Sequence, residues 1–284
     1  MHPTGPLAIL VAATLFGTSG VFVKSLALLP STAITALRLV VPFLLLFSTQ
    51  GTLRRRLFSR PNKTLLFASA FTSLRIFFWV LGLVFAPMSK AICILYIWPI
   101  LFTLLNGCIL KERVLPRTKL LLLTAFAGIL IMYSAEELSL NNRDLIGMSF
   151  MFLVACINAG VLTVFKREML RHSPLEILMY DSFVGAIIFL PFLIYYADRF
   201  TPSSLLIGSG YGITIGLVAY GLLFYGLSKV RGSIASVLTY MEVVVTMVLG
   251  AVIFHEQITW RMLIGGSMIV FAAVMVRAPR EETA

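Results

Sequence analysis

The chain has 284 residues, of which 59% are hydrophobic and 12% charged, against roughly 25% charged in an average soluble domain. Apolar surface on that scale excludes a water-soluble fold. The net charge of +11 arises from basic residues set between apolar runs rather than gathered in one patch, which fits orientation in a membrane and argues against nucleic acid as a partner.

Taken in chain order, apolar runs bounded by Pro, Gly and charge predict spans near residues 6–26, 31–49, 64–86, 90–110, 117–135, 145–165, 175–197, 203–227, 232–254 and 258–277. Each is long enough to cross a hydrocarbon core of about 30 Å as a helix. The predicted class is all-α integral membrane with ten transmembrane helices. The first run is followed by further spans rather than by a cleavage site and a soluble domain, so it reads as a mature helix. With the N-terminus inside, sixteen Lys and Arg lie on inner segments, among them Arg54, Arg60, Lys111, Arg277 and Arg280. Five lie outside: Lys24, Lys90, Arg143, Arg199 and Arg261. This bias predicts that both termini are cytoplasmic.

The chain also repeats itself. Leu110-Lys111-Glu112-Arg113-Val114 lies over Phe254-His255-Glu256-Gln257-Ile258 at an offset of 144, which also pairs Ala91 with Ala235 and Tyr96 with Tyr240. Val23-Lys24 lies over Phe165-Lys166 at an offset of 142. Two five-span repeats, 1–140 and 141–284, are expected. Because five is odd, the halves are inverted in the bilayer, and in inverted-repeat transporters the substrate site lies near the midplane between them.

A charge inside the bilayer costs about 2.5–3.5 kcal/mol on insertion scales, so Arg38, Arg75, Asp181 and Glu242 need partners or a wet cavity. Arg75 and Glu242 fall midway along the third and ninth spans. One reading is a substrate site in which Arg75 holds an anionic group and Glu242 a cationic one, as a zwitterion would require. The other is an ion pair that only joins the halves. Phe71, Thr72, Phe78 and Trp79 are helical neighbours of Arg75 and offer an aromatic surface for a guanidinium or a planar ligand. Arg38 and Asp181 are candidates for gating or proton coupling.

Tyr96, Pro99, Thr103 and Asn106 share one face of the fourth span, where Pro99 either frees a carbonyl for binding or only bends the helix. Tyr96, Trp98, Asn106, Asn158 and Tyr240 complete the candidate binding residues, although Trp98 points away from that face. Gly208, Gly212 and Gly216 form a close-packing stripe. Lys24 and Lys166 lie at helix ends, where long side chains snorkel to water. Cys93, Cys108 and Cys156 sit in apolar runs and read as small hydrophobes. His2, His172 and His255 are scattered. With no phosphate-binding glycine loop and no HExxH, neither metal nor cofactor is expected.

Ser236-Val-Leu-Thr-Tyr240-Met-Glu242-Val243, then Gly250, His255-Glu256, Trp260 and Gly265-Gly266, resembles the second-half signature of the EamA family of the drug/metabolite transporter superfamily. The first half is similar to the family's pattern at Phe16-Gly17, Lys24, Ala36-Leu37-Arg38, Pro99 and Leu110-Lys111-Glu112-Arg113. Val243 stands where the family often has proline, so a break in the ninth span does not follow from the sequence. The resemblance implies ten helices, with 1, 3, 4, 6, 8 and 9 around a central cavity and 5 and 10 peripheral. It also implies a transporter of small metabolites in a bacterial inner membrane, most often an exporter of amino acids. The alternatives are uptake of a nucleoside or a sulfonium compound such as S-adenosylmethionine, or, from another class, a lipid-acting membrane enzyme. The expected partners are a small-molecule substrate and membrane lipid; oligomeric state is left open.

Overall fold

The computed structural model describes residues 4–59, 61–86, 88–134 and 142–276. His2, Arg60, Arg277, Arg280 and the expected boundary between the halves lie outside the described residues.

All regular structure among the described residues is helical. The first half contains α1 (Thr4–Gly17), α2 (Ser19–Ser25), α3 (Ser31–Thr49), α4 (Gly51–Ser59), α5 (Lys63–Phe85), α6 (Met88–Leu95), α7 (Trp98–Ile109) and α8 (Pro116–Met132). The second contains α9 (Asn142–Glu168), α10 (Pro174–Tyr195), α11 (Pro202–Tyr211), a π-helix (Gly212–Ala219), α12 (Tyr220–Lys229), α13 (Gly232–Thr239), α14 (Met241–Phe254) and α15 (Trp260–Met275). Helices start where the sequence offers a cap or a proline. Asn62 accepts from the amides of Thr64 and Leu65, and Ser173 from that of Glu176. Thr201 and Ser204 form a capping box, and Pro116, Pro174 and Pro202 occupy first-turn positions. Each supplies or removes the need for a partner of an otherwise orphaned amide.

Seven helical paths among the described residues are long and apolar enough to cross a membrane: Thr4–Ser25, Ser31–Thr49, Ala91–Ile109, Asn142–Glu168, Pro174–Tyr195, Pro202–Lys229 and Gly232–Phe254. Trp260–Met275 is apolar but shorter. Lys63–Phe85 and Pro116–Met132 are helical where the sequence places two further spans.

Several paths are broken. The fourth expected span turns at Tyr96 and Ile97, between α6 and α7, one turn ahead of Pro99. The ninth breaks at Tyr240, between α13 and α14, with Val243 rather than proline after Glu242. Proline is thus not required for the second break. The ends of these paths also match: Lys111 and His255 both have φ 54°. The amides of Glu112 and Glu256 then donate to the carbonyls of Asn106 and Gly250, each six residues back, at 3.2 Å. Both are helix ends closed by a left-handed residue.

Close approaches set the packing. α3 runs along the glycine stripe: a Cβ at Gly212 would lie 2.7 Å from the Leu37 carbonyl, and one at Gly216 would strike the Arg38 carbonyl. α8 packs on α15, where Gly128 and Gly265 let the two backbones touch. α1 lies against α12, α13 and α14.

Candidate functional site

The four intramembrane charges form one group of alternating sign. Arg38 on α3 faces Asp181 on α10. Asp181 also faces Arg75 on α5, and Arg75 faces Glu242 at the start of α14. Two positive and two negative groups therefore compensate one another at the depth where each alone is most costly. Arg38, Arg75 and Glu242 are half-buried, whereas Asp181 is buried. The Thr72 hydroxyl stands near Asp181 but donates to the Ala68 carbonyl at 3.2 Å, and Asp181 Oδ1 has no hydrogen-bond partner.

Tyrosines surround both ends of the group. At the Arg38 end stand Tyr211 and Tyr220, with the guanidinium 5.5 Å from the Tyr220 ring centre. Phe16 of α1 meets Tyr220 edge-on at 4.9 Å. At the Glu242 end the Tyr96 hydroxyl donates toward the carboxylate, and Tyr133 lies nearby. Tyr240 stacks obliquely on Tyr96 at 6.1 Å and donates its hydroxyl to the Tyr96 carbonyl at 2.9 Å. The two helix breaks are thereby tied to each other beside Glu242. α1 closes this side: Thr246 donates to the Gly17 carbonyl at 3.3 Å, and a Cβ at Gly17 would collide with Val245.

The other sequence candidates go elsewhere. Phe78 stacks on Phe150 of α9 at 6.0 Å, and Trp79 packs with Ala86, Ala91 and Met151. Phe71 is 50% exposed on the outer surface of α5. Trp98 packs against Phe102 and the main apolar core. Asn106 is buried near the end of α7, donating to the Phe102 carbonyl beside Gly232. Asn158 is half-buried along α9. The expectation that Lys166 snorkels is corrected. Its side chain is only 9% exposed, with the ammonium bound to Glu112 and to the carbonyls of Leu227 and Val230. Three acceptors satisfy the three ammonium donors without water.

Tyr211, Tyr220, Thr72 and Tyr133 enter the group without having been singled out as members of it. Nine residues of regular α-helix turn by about 900°, which would put Tyr211 and Tyr220 on opposite faces. The intervening π-helix winds more slowly, and both tyrosines reach Arg38. The clustered glycines of that stretch were the available signal.

An apolar helical bundle with a compensated polar group at its centre has the architecture of a membrane protein that handles polar solutes. A solved crystal structure covers 96% of this chain and 98% of its own length, with a TM-score of 0.84 at 19% identity, and shows the fold alone. The pattern of the EamA-like transporter family matches residues 3–134 and 145–278, and the chain belongs to that family. An "uncharacterized transporter" of Archaeoglobus fulgidus is 28% identical over 279 residues, 96% of this chain and 95% of that one. The "S-adenosylmethionine uptake transporter" of Rickettsia prowazekii is 24% identical over 220 residues, covering 76% of this chain and 70% of that one. The chain is a multi-pass membrane protein of a transporter family; the family and these relatives are named for transport, not for an enzymatic activity.

Proposed function

We propose that the chain is a secondary transporter that moves a small zwitterion, an amino acid or a close relative, by exposing the Arg75–Glu242 site to each side of the membrane in turn. The observation that carries this reading is the alternating group Arg38–Asp181–Arg75–Glu242, two of whose members, Arg75 and Glu242, are half-buried and face one another. A zwitterion can enter between them and replace their mutual attraction with its own carboxylate and ammonium, leaving the total charge unchanged. Asp181 and Arg38 stand behind Arg75 and hold its charge when the substrate leaves. Ten crossings in two inverted halves, cytoplasmic termini, an inner-membrane location and export as the direction complete the proposal. The match of the family pattern to two segments supports the two-repeat reading.

A second reading is uptake of a sulfonium amino acid. Tyr96 and Tyr133 near Glu242 offer aromatic faces to a cation, and one relative is named for such a substrate. Thermal-shift measurements on the purified protein against amino acids, nucleosides and S-adenosylmethionine test both, because a ligand of the native state raises its melting temperature. Arg75→Ala and Glu242→Gln, if still folded, should abolish the shift for the true ligand. A shift retained in both variants would make the pair structural and sink the proposal.

A further inference from the structure

The structure contains two Lys–Glu pairs in equivalent local settings at opposite ends of the bundle. Lys166, on the last turn of α9, binds Glu112 just past α7 at 3.1 Å. Lys24, on the last turn of α2, binds Glu256 just past α14 at 2.7 Å. The glutamates follow Lys111 and His255, the two non-glycine residues with positive φ among those described. Each pair crosses from one half of the chain to the other. They lie at opposite ends because α1 begins beside Lys229 and Val230, where Gly5 touches both, and the Val230 carbonyl binds Lys166. Lys24 is about 28 Å farther along the same path at 1.5 Å per residue.

Their surroundings differ. Glu112 also accepts from the amide of Gly232 at 2.7 Å, so the carboxylate joins the end of α7, the end of α9 and the start of α13. All eight residues of α13 are buried. Its Ile234 shares a core with Ile9, Phe102, Phe165 and Phe224, a continuous apolar seal. At the other end Lys24 and Glu256 are 52% and 56% exposed, and α2 has no buried residue. In α6, which corresponds to α13 at the offset of 144, Ile92, Cys93, Ile94 and Leu95 are only half-buried. This conformation is therefore sealed at the Lys166 end and loose at the Lys24 end.

We infer that Lys166–Glu112 and Lys24–Glu256 are the two gates of the transport cycle, closed alternately, and that the structure holds the state with the Lys166 gate shut. In the opposite state the carboxylate of Glu256 would close onto the start of α6 as that of Glu112 now closes onto α13, while Lys166–Glu112, still paired, becomes exposed to water as Lys24–Glu256 is now. The inference rests on the alternating-exposure reading and adds the residues that carry it.

The test measures thiol labelling in the full-length protein, with Cys108 and Cys156 replaced by serine. Cys93 on α6 reports the Lys24 end, and Val237→Cys, its counterpart at the offset of 144, reports the Lys166 end. In the parent, Cys93 should label faster than the cysteine at position 237. Glu112→Gln weakens the closed gate and should raise labelling at position 237 by about tenfold, as a state populated at about 1–10% becomes dominant, with Cys93 slowed. Glu256→Gln weakens the gate of the other state and should slow labelling at position 237, with Cys93 little changed because the state that exposes it already dominates. Opposite changes at position 237 in the two variants, with Cys93 slowed by Glu112→Gln, support the gates; changes of the same sign at position 237, or none, overturn them. Should Glu112→Gln not fold, Glu256→Gln at the exposed pair decides alone. No substrate is used, so a failed ligand screen leaves this result standing, and unresponsive labelling leaves the zwitterion site untouched.

Discussion

The two ends of the bundle hold the same chemistry in different states. Lys166 and Glu112 are 9% and 18% exposed, whereas Lys24 and Glu256 are 52% and 56% exposed. Each glutamate follows a left-handed residue and each lysine lies in the last turn of a helix, so local backbone geometry is not the source of the difference. Its source is whether neighbouring helices exclude water. The exposed pair is worth little on its own, while the buried one is costly to break because the survivor is left as a buried charge.

That contrast can be broken most sharply by removing one lysine at a time. Lys166→Met should destabilise the protein by about 3–5 kcal/mol, leaving Glu112 uncompensated; thermal unfolding in detergent reads the loss. A value near that of a surface variant would show that water already reaches the pair. Next in size is Tyr220→Phe, which removes a hydroxyl facing Arg38 in the central group and should cost about 1.5–3 kcal/mol, the range for hydrogen bonds to charged groups. An unchanged unfolding midpoint would mean that solvent, not Tyr220, serves the guanidinium.

Gly232→Ala sharpens the comparison at the sealed end, since a Cβ there would strike the Asn106 amide and lie 3.3 Å from Glu112 Oε2. Overpacking of this kind costs about 1–3 kcal/mol. The same variant should speed labelling at position 237, and Gly20→Ala, where a Cβ meets nothing within 4 Å, serves as its control. The smallest effect belongs to Lys24→Met. Less than about 1 kcal/mol should be lost, because an exposed pair gains little against water, and a loss as large as that of Lys166→Met would mean that the Lys24 end is sealed too.

Particular residues mark how far the sequence could be read. Arg75, Glu242, Arg38 and Asp181 were legible because charge in an apolar run is rare and costly, and the structure brings all four within electrostatic reach of a partner of opposite sign. Their grouping was not legible: Arg38 and Asp181 stood as separate gating candidates, although Asp181 faces both arginines. Phe78 and Trp79 follow Arg75 at helical spacing, but α9 takes up their surfaces. Tyr211 and Tyr220 were both missed, and as a pair they were not legible because a regular helical period sets them on opposite faces. The Tyr240 break escaped because the expected signal was proline, whereas here a hydrogen bond and a ring contact to Tyr96 accompany it.

The sequence by itself determined the membrane environment, the positions of the helical segments, the four costly charges and the recurrence of Lys and Glu at fixed offsets. These follow from hydropathy, residue chemistry and spacing, which are properties of the chain alone. Only the tertiary structure decided which charges meet and which of two equivalent Lys–Glu pairs is dry. Burial depends on neighbours distant in sequence, such as α1 against α12 and α13 at one end, and the Lys and Glu that the two motifs share carry no information about which pair is covered.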